Sequence, residues 1–376
     1  MEIRKIHGKH GEAVIYTVGG EHAIDAYAIA QIERICDDAA SEGSTIRVMP
    51  DVHPGKVGPI GLTMTVGTRL LPNLTGVDAG CGMTTVRCKA KKVELAHLDA
   101  VVREAVPAGG AIRKNAHRRS DEANLSALVC ARQLRADIVA RSLGTLGGGN
   151  HFIEAGLGDD GDMFLTVHSG SRHLGVEFTE YYLKQGQAAI TAAGLQVPYE
   201  VTWIEGGTLD DYLHDIAIVQ DYASLNRDII LDEIMRAMKW KPLDCYESRH
   251  NYIDMDGKIL RKGAISAKDG ETVIIPVNMR DGILLGRGRG NPDWNRSAPH
   301  GAGRIVRRTD ASSMFTVSQY KIEMKGIYSS CIGKETLDEA PFCYRNMDEI
   351  RDAVADTVEV TNRIRPIYNF KAGRED

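Results

Sequence analysis

Gly147-Gly148-Gly149-Asn150-His151-Phe152-Ile153-Glu154 precedes an apolar run, Met163 to Val167, which ends at His168-Ser169-Gly170-Ser171-Arg172. The run reads as a strand. A strand end is a rigid platform that holds an imidazole and a guanidinium in fixed directions. The glycines upstream expose backbone N–H groups, which suits an anion. His151 is a candidate metal ligand, Phe152 offers a stacking face, and Glu154 is an acceptor for the N–H groups of a base edge. Chemistry set at strand ends and in glycine turns, within a mixture of strands and helices lacking clean βαβ alternation, predicts an α+β protein.

Outward from this stretch, Thr272 to Val277 and Met314 to Val317 are two further strand-like runs. Helical periodicity marks residues 22–41, where Ile29, Ile32, Cys36 and Ala39 recur three or four apart, and residues 121–141. The longest helical stretch is 210–238, its stripe formed by Leu213, Ile216, Ala223, Ile230, Ile234 and Met238. A last helix is expected over 347–364, stopping before Pro366. No repeat, low-complexity tract or linker divides the chain, so one domain over residues 1–376 is the expectation.

Hydrophobic and charged contents of 43% and 26% are those of a globular protein, and no apolar run reaches bilayer length. No signal peptide is evident at the start, so a cytoplasmic protein without a membrane partner is expected. Seven cysteines without a CxxC pair argue against a disulfide framework or a zinc knuckle. A net charge of −5 excludes a protein coated in nucleic acid but not one gripping a few phosphates. Two basic clusters are candidate phosphate-gripping patches: Arg113, Lys114, Arg118 and Arg119, for which a solvated face is at least as good a reading, and Arg287, Arg289, Arg304, Arg307 and Arg308, which lie within the chemical motifs.

Three more segments carry metal- or phosphate-competent groups. In Gly76-Val77-Asp78-Ala79-Gly80-Cys81-Gly82-Met83 a carboxylate and a thiol lie three apart between glycines, able to converge on a borderline divalent cation. A tight turn around a buried cysteine is the other reading. Arg249-His250-Asn251 is weak alone. In His300-Gly301-Ala302-Gly303-Arg304 small residues leave room around an imidazole, with an arginine ready for phosphate. An imidazole can attack a nucleotide α-phosphate and form a covalent phosphoramidate, dividing one hard transfer into two easier ones.

Together these motifs resemble the RtcB family of RNA ligases. The resemblance runs from Met49-Pro50-Asp51-Val52-His53-Pro54-Gly55-Lys56 nearly to the C-terminus, ending at Lys371. It implies a large α+β domain, mixed sheets and flanking helices around a dinuclear metal pocket. It implies two manganese ions held by Asp78, Cys81, His151, His168 and His250, with Cys81 bridging, and His300 as the histidine that becomes linked to GMP. The GTP surround it implies is Asn150, His151, Phe152, Ile153, Glu154, His250, Asn251, Pro276, Val277, Asn278, Met279, Ile283, His300, Gly301, Ala302, Gly303 and Lys371. Arg172 and Arg304 look like RNA-phosphate contacts. The implied partners are GTP and an RNA with a 3′-phosphate or 2′,3′-cyclic phosphate end and a 5′-hydroxyl end, as in RNA repair or tRNA splicing. An activating or repair-pathway protein is left unnamed.

The chain departs from the family pattern at Pro276-Val277-Asn278-Met279-Arg280-Asp281-Gly282-Ile283, where a glycine-serine turn and a later serine hydroxyl are usual. His173 replaces a usual glycine, and paired histidines before Asn251 are reduced to Arg249-His250. A metal-dependent RNA-end phosphodiesterase or phosphatase without guanylylation is the alternative these changes raise. Trp203, Trp240 and Trp294 read as packing residues, and Asp51 and His53 either as groups orienting the ligands or as a structural turn.

Overall fold

The computed structural model describes residues 2–17, 24–89 and 93–373. Its centre is a seven-stranded sheet in the order Lys241–Arg249, Gly82–Lys89, Met163–Ser169, Phe152–Leu157, Val358–Lys371, Gly282–Gly288, Thr272–Asn278. All of its neighbours pair antiparallel. Met163–Ser169 is buried at every residue, which explains why it reads as an unbroken apolar run and not as an alternation. A six-stranded sheet runs Glu2–His7, Glu12–Thr17, Ile46–His53, Ile60–Thr65, Ile259–Lys262, Asn251–Asp254, with one parallel pairing between Glu12–Thr17 and Ile46–His53.

The helix Gly206–Met238 serves both layers. Tyr212, Ile216, Val219 and Tyr222 join Phe178 and Tyr182 of helix Arg172–Ala192 in a core with Ile46, Val48 and Leu62 of the six-stranded sheet. Further along, Ile230, Leu231, Ile234 and Met235 pack with Ile153, Leu165 and Val167 of the seven-stranded sheet. The fold is α+β, with helices and strands mixed along the chain without βαβ alternation, as expected. Among the described residues no helix is long and apolar enough to cross a membrane. The three tryptophans are buried.

Several boundaries differ from expectation. Within 22–41 the helix is Ala26–Cys36, capped by Asp25, whose carboxylate accepts from Tyr27 N; residues 22 and 23 lie outside the described residues. Residues 121–141 are not one helix: short 3₁₀ turns fill 120–133 and a helix forms only at Ala136–Ser142. The cause is tertiary, because buried Asp215 on the long helix accepts from Val129 N and Cys130 N at 2.7 and 3.1 Å and so competes with helical pairing. Met314 to Val317 is no strand: Met314 ends a short helix, and Thr316 caps the helix Val317–Glu323 in a capping box with Gln319. The last helix stops at Val354, and 358–371 is a strand inserted between two others. Pro366 sits at that strand's register shift, where a missing N–H is tolerated.

Candidate active site

Sheet register assembles the first part of the site. Gly82 pairs with both Arg249 and Ser169, Met83 with His168, and Phe152 with His168. Cys81, His151, His168 and His250 therefore emerge at the same end of four neighbouring strands. His250 occupies the joint where the chain passes from one sheet to the other. Cys81 Sγ lies 3.4 Å from His151 Nε2 and 3.4 Å from His168 Nε2, and His168 Nε2 lies 3.2 Å from His250 Nε2. Cys81, His151 and His168 form a buried triad of metal-competent atoms. Asp78 borders it, since a Cβ on Gly170 would meet Asp78 Oδ1 at 3.5 Å and Cys81 Cβ at 3.4 Å.

Two devices hold this arrangement. Arg227, fully buried on the long helix, donates to Gly80 O at 3.0 Å, Ser169 O at 2.7 Å and Thr84 Oγ1 at 3.1 Å. Gly80, at φ +77°, lets the ligand turn approach that helix, where a Cβ would lie 2.8 Å from Ala223 Cβ. Gly147, at φ +84°, lies beneath the Arg172 guanidinium, where a Cβ would be 2.0 Å from Nη1.

Burial drives the electrostatics. It depresses His151 to about 3, helped by Arg172. It also holds His168 and His250 well below their ordinary value, His151 adding to the effect on His168, and His168 to that on His250. All three imidazoles are therefore neutral, with lone pairs free to bind a cation. Burial, reinforced by Asp78, raises the Cys81 thiol, and burial raises Asp78 itself. Thiol and carboxyl packed against neutral imidazoles form a donor set that fits a divalent metal. Lys262, which donates to Leu74 O at 3.0 Å, is pulled down to about 8 by burial, opposed by Asp78.

The second part is a slot of about 120 Å³ behind the cluster. Asn150, Phe152, Glu154, His250, Pro276, Val277, Asn278, Met279, Ile283, His300, Gly301, Ala302, Gly303 and Lys371 line it. Ile153 does not, because its alternate position along the strand turns it into the second core. Asn251 lines the neighbouring cleft of about 1320 Å³, together with Arg172, Arg307, Arg308 and Arg345. Of the first basic cluster, Arg113 donates to Leu143 O and Gly144 O, and Arg119 pairs with Glu122 and Asp232.

His300 stands between slot and cleft and lines both, its ring centroid 5.1 Å from that of His250. Its Nδ1 is 2.8 Å from Asp51 Oδ2, and Asp51 is 1% exposed. A carboxylate only accepts, so Nδ1 donates in this bond, and in the neutral ring the lone pair lies on Nε2. Asp51 is thus a group that orients the histidine, a sharper role than its sequence suggested. His53 is a turn partner, its Nδ1 bonding to Asp51 O at 2.9 Å.

A family model described as tRNA-splicing ligase RtcB matches residues 38–140 and 129–372. The RNA-splicing ligase RtcB of Escherichia coli K12 is 30% identical over 371 residues, covering 87% of this chain and 90% of its own. The tRNA-splicing ligase RtcB of Archaeoglobus fulgidus is 27% identical over 416 residues, covering 85% and 86%. The chain belongs to the RtcB family.

Other groups escaped the sequence reading of this RtcB-family site. Glu339, 3% exposed in side chain, pairs with Lys371 Nζ at 2.7 Å, with Arg308, and with Arg304 at 3.3 Å. Burial would raise Glu339, but Lys371, Arg308 and Arg304 together outweigh it and hold it far below the usual carboxylate range. Tyr344 OH bonds to Glu339 Oε2 at 2.7 Å and to Arg304 Nη1 at 2.8 Å. Arg304, anticipated as a phosphate contact, also donates to Asp338 O and Val306 O, so in this arrangement it braces the slot wall. Glu339 lies in Lys334-Glu335-Thr336-Leu337-Asp338-Glu339, which carries no motif, so only the cation excess in the neighbouring motifs hinted at a buried counter-charge.

Proposed function

We propose that this RtcB-family chain is an RNA ligase that joins a 3′-phosphate or 2′,3′-cyclic phosphate end to a 5′-hydroxyl end, using GTP and manganese, with His300 as the carrier of GMP. The observation that carries this reading is the position of His300, between a neutral histidine–thiol cluster and a base-sized slot, with Nδ1 taken by Asp51 at 2.8 Å.

Cys81, His151, His168 and His250, with Asp78 beside them, would hold two manganese ions, which when bound neutralise phosphate charge and favour in-line attack. A mixed set of thiolate, imidazole and carboxylate suits such a borderline cation. His300 Nε2 attacks the α-phosphorus of GTP, forming a P–N bond as the bond to pyrophosphate breaks. Asp51 stabilises the positive charge that develops on the ring. Water opens a cyclic end to the 3′-phosphate, whose oxygen then takes GMP from His300 and frees the imidazole. The 5′-hydroxyl oxygen attacks this activated phosphorus, GMP leaves, and the phosphodiester is closed. Arg172, Arg307 and Arg345 line the cleft along which RNA phosphates would lie.

The test is covalent labelling. Protein mixed with α-labelled GTP and Mn²⁺, then denatured, retains label, and the His300→Ala variant does not. Absence of label with every divalent metal tried defeats this reading and favours the phosphodiesterase, with the Val277–Ile283 wall, where Ile283 presents no hydroxyl, as the reason.

A further inference from the structure

Two buried acceptors in the slot have nothing to accept. Asn369 and Glu154 are direct partners across the strands Val358–Lys371 and Phe152–Leu157, so their side chains share a face. They are 1% and 2% exposed. Asn369 Nδ2 donates to Glu154 Oε2 at 2.9 Å. With Glu154 ionised, as a donating base requires, that bond fixes the amide's orientation, because its oxygen would meet a carboxylate oxygen if flipped. Asn369 Oδ1 and Glu154 Oε1 are both left buried without a hydrogen-bond partner, and both residues line the slot.

Buried polar atoms are normally satisfied, so a neighbouring pair of orphan acceptors is the imprint of a ligand with neighbouring donors. Among the nucleobases only guanine places two donor groups side by side, its N1–H and its 2-amino group. Adenine and cytosine set one amino group beside an acceptor, and uracil flanks one N–H with two carbonyls. Phe152 in the same wall gives the base a stacking face.

We propose that Asn369 is a specificity-determining residue, its Oδ1 accepting a hydrogen of the guanine 2-amino group while Glu154 accepts from N1–H. The inference rests on the GTP reading above and adds a residue that no motif marks. Asn369 thereby separates guanine from hypoxanthine, which lacks only the 2-amino group. A site built around that hydrogen bond is left with an unpaired buried acceptor when the analogue binds.

The experiment compares covalent labelling by α-labelled GTP and α-labelled inosine triphosphate, with Mn²⁺, on the unmodified protein and on Asn369→Leu. The unmodified protein should favour GTP by roughly ten- to a hundredfold, the range expected for one buried hydrogen bond. In the variant the ratio should fall to about threefold or less, chiefly through loss of GTP affinity. Asn369→Ser repeats the comparison if leucine does not fold, and the ligand comparison needs no variant at all. Equal labelling by the two nucleotides, or an unchanged ratio in a folded variant, overturns the role of Asn369 and leaves the GTP reading intact. No label from either nucleotide defeats the GTP reading, and this inference with it.

Discussion

The cluster at the strand ends and the slot behind it are both buried, yet opposite in electrostatic character. Cys81, His151, His168 and His250 are neutral donors packed 3.2–3.4 Å apart, their charged forms suppressed by burial. The slot wall holds a network of ion pairs, with Glu339 clamped by Lys371, Arg308 and Arg304. The cluster is a set of uncharged donors, whereas the wall is a network of ion pairs centred on one carboxylate. Removing a side chain should therefore cost binding in the cluster and stability in the wall.

The sharpest way to break this contrast is Cys81→Ala. It should lower metal affinity by more than a hundredfold, beyond the roughly 10- to 100-fold typical of groups one step removed from a metal, and change the unfolding free energy little. Metal content by elemental analysis, with urea unfolding of the metal-free protein, separates the two effects. Glu339→Gln should do the reverse, costing about 3–5 kcal/mol by leaving three cations around a neutral amide. The same carboxylate predicts an acid limb. Its folded value is depressed, so its contribution is whole above the unfolded value of roughly 4.3 and is lost as pH falls below it. A Glu339→Gln protein whose denaturant midpoint shows the parent's full acid dependence would count against this assignment.

Glu154 gives a smaller and intermediate effect, because it is the one slot carboxyl that burial raises, to about 8, against the opposing pull of Asn369 and Lys371. In the empty slot it holds its proton below that pH, and a base donating N–H groups requires it ionised. Binding of GMP without metal should strengthen by about twentyfold between pH 6.5 and 8.5, levelling above 8. Calorimetry at the two pH values, with proton release at the lower, checks it; a flat profile removes Glu154 from base recognition. The smallest effect is expected from Tyr344→Phe, which deletes bonds of 2.7 and 2.8 Å to Glu339 and Arg304 and should cost about 1–2 kcal/mol, read by thermal unfolding.

The two regions also differ in how far they could be read in advance. The cluster is written in short motifs, because a ligand at a strand end needs glycines beside it, and local geometry leaves a local signature. Gly147-Gly148-Gly149 and Gly80-Cys81-Gly82 are such signatures. The slot draws on residues around 150, 280, 300, 340 and 370, joined only by pairing and packing. Glu339 and Asn369 sit in segments that look ordinary, and nothing local says that their partners lie 32 and 215 positions away.

The secondary structure divides the same way. The helix Gly206–Met238 and the strands Met163–Ser169 and Thr272–Asn278 follow their own periodicity or run of apolar residues, since each has enough of its own sequence to select a conformation. Residues 358–371 have β-branched and helix-compatible positions in balance, and only the strands waiting on either side made them a strand. The sequence by itself determined the family, the α+β class and the residue types of the strand-end cluster, because those depend on residue identity at close spacing. Tertiary structure alone decided that Asp51 holds His300, that Glu339 pairs with three cations of the slot wall, and that Asn369 turns an acceptor into it. Each is a contact between distant segments, whose energy exists only once burial has removed the water that would otherwise satisfy them.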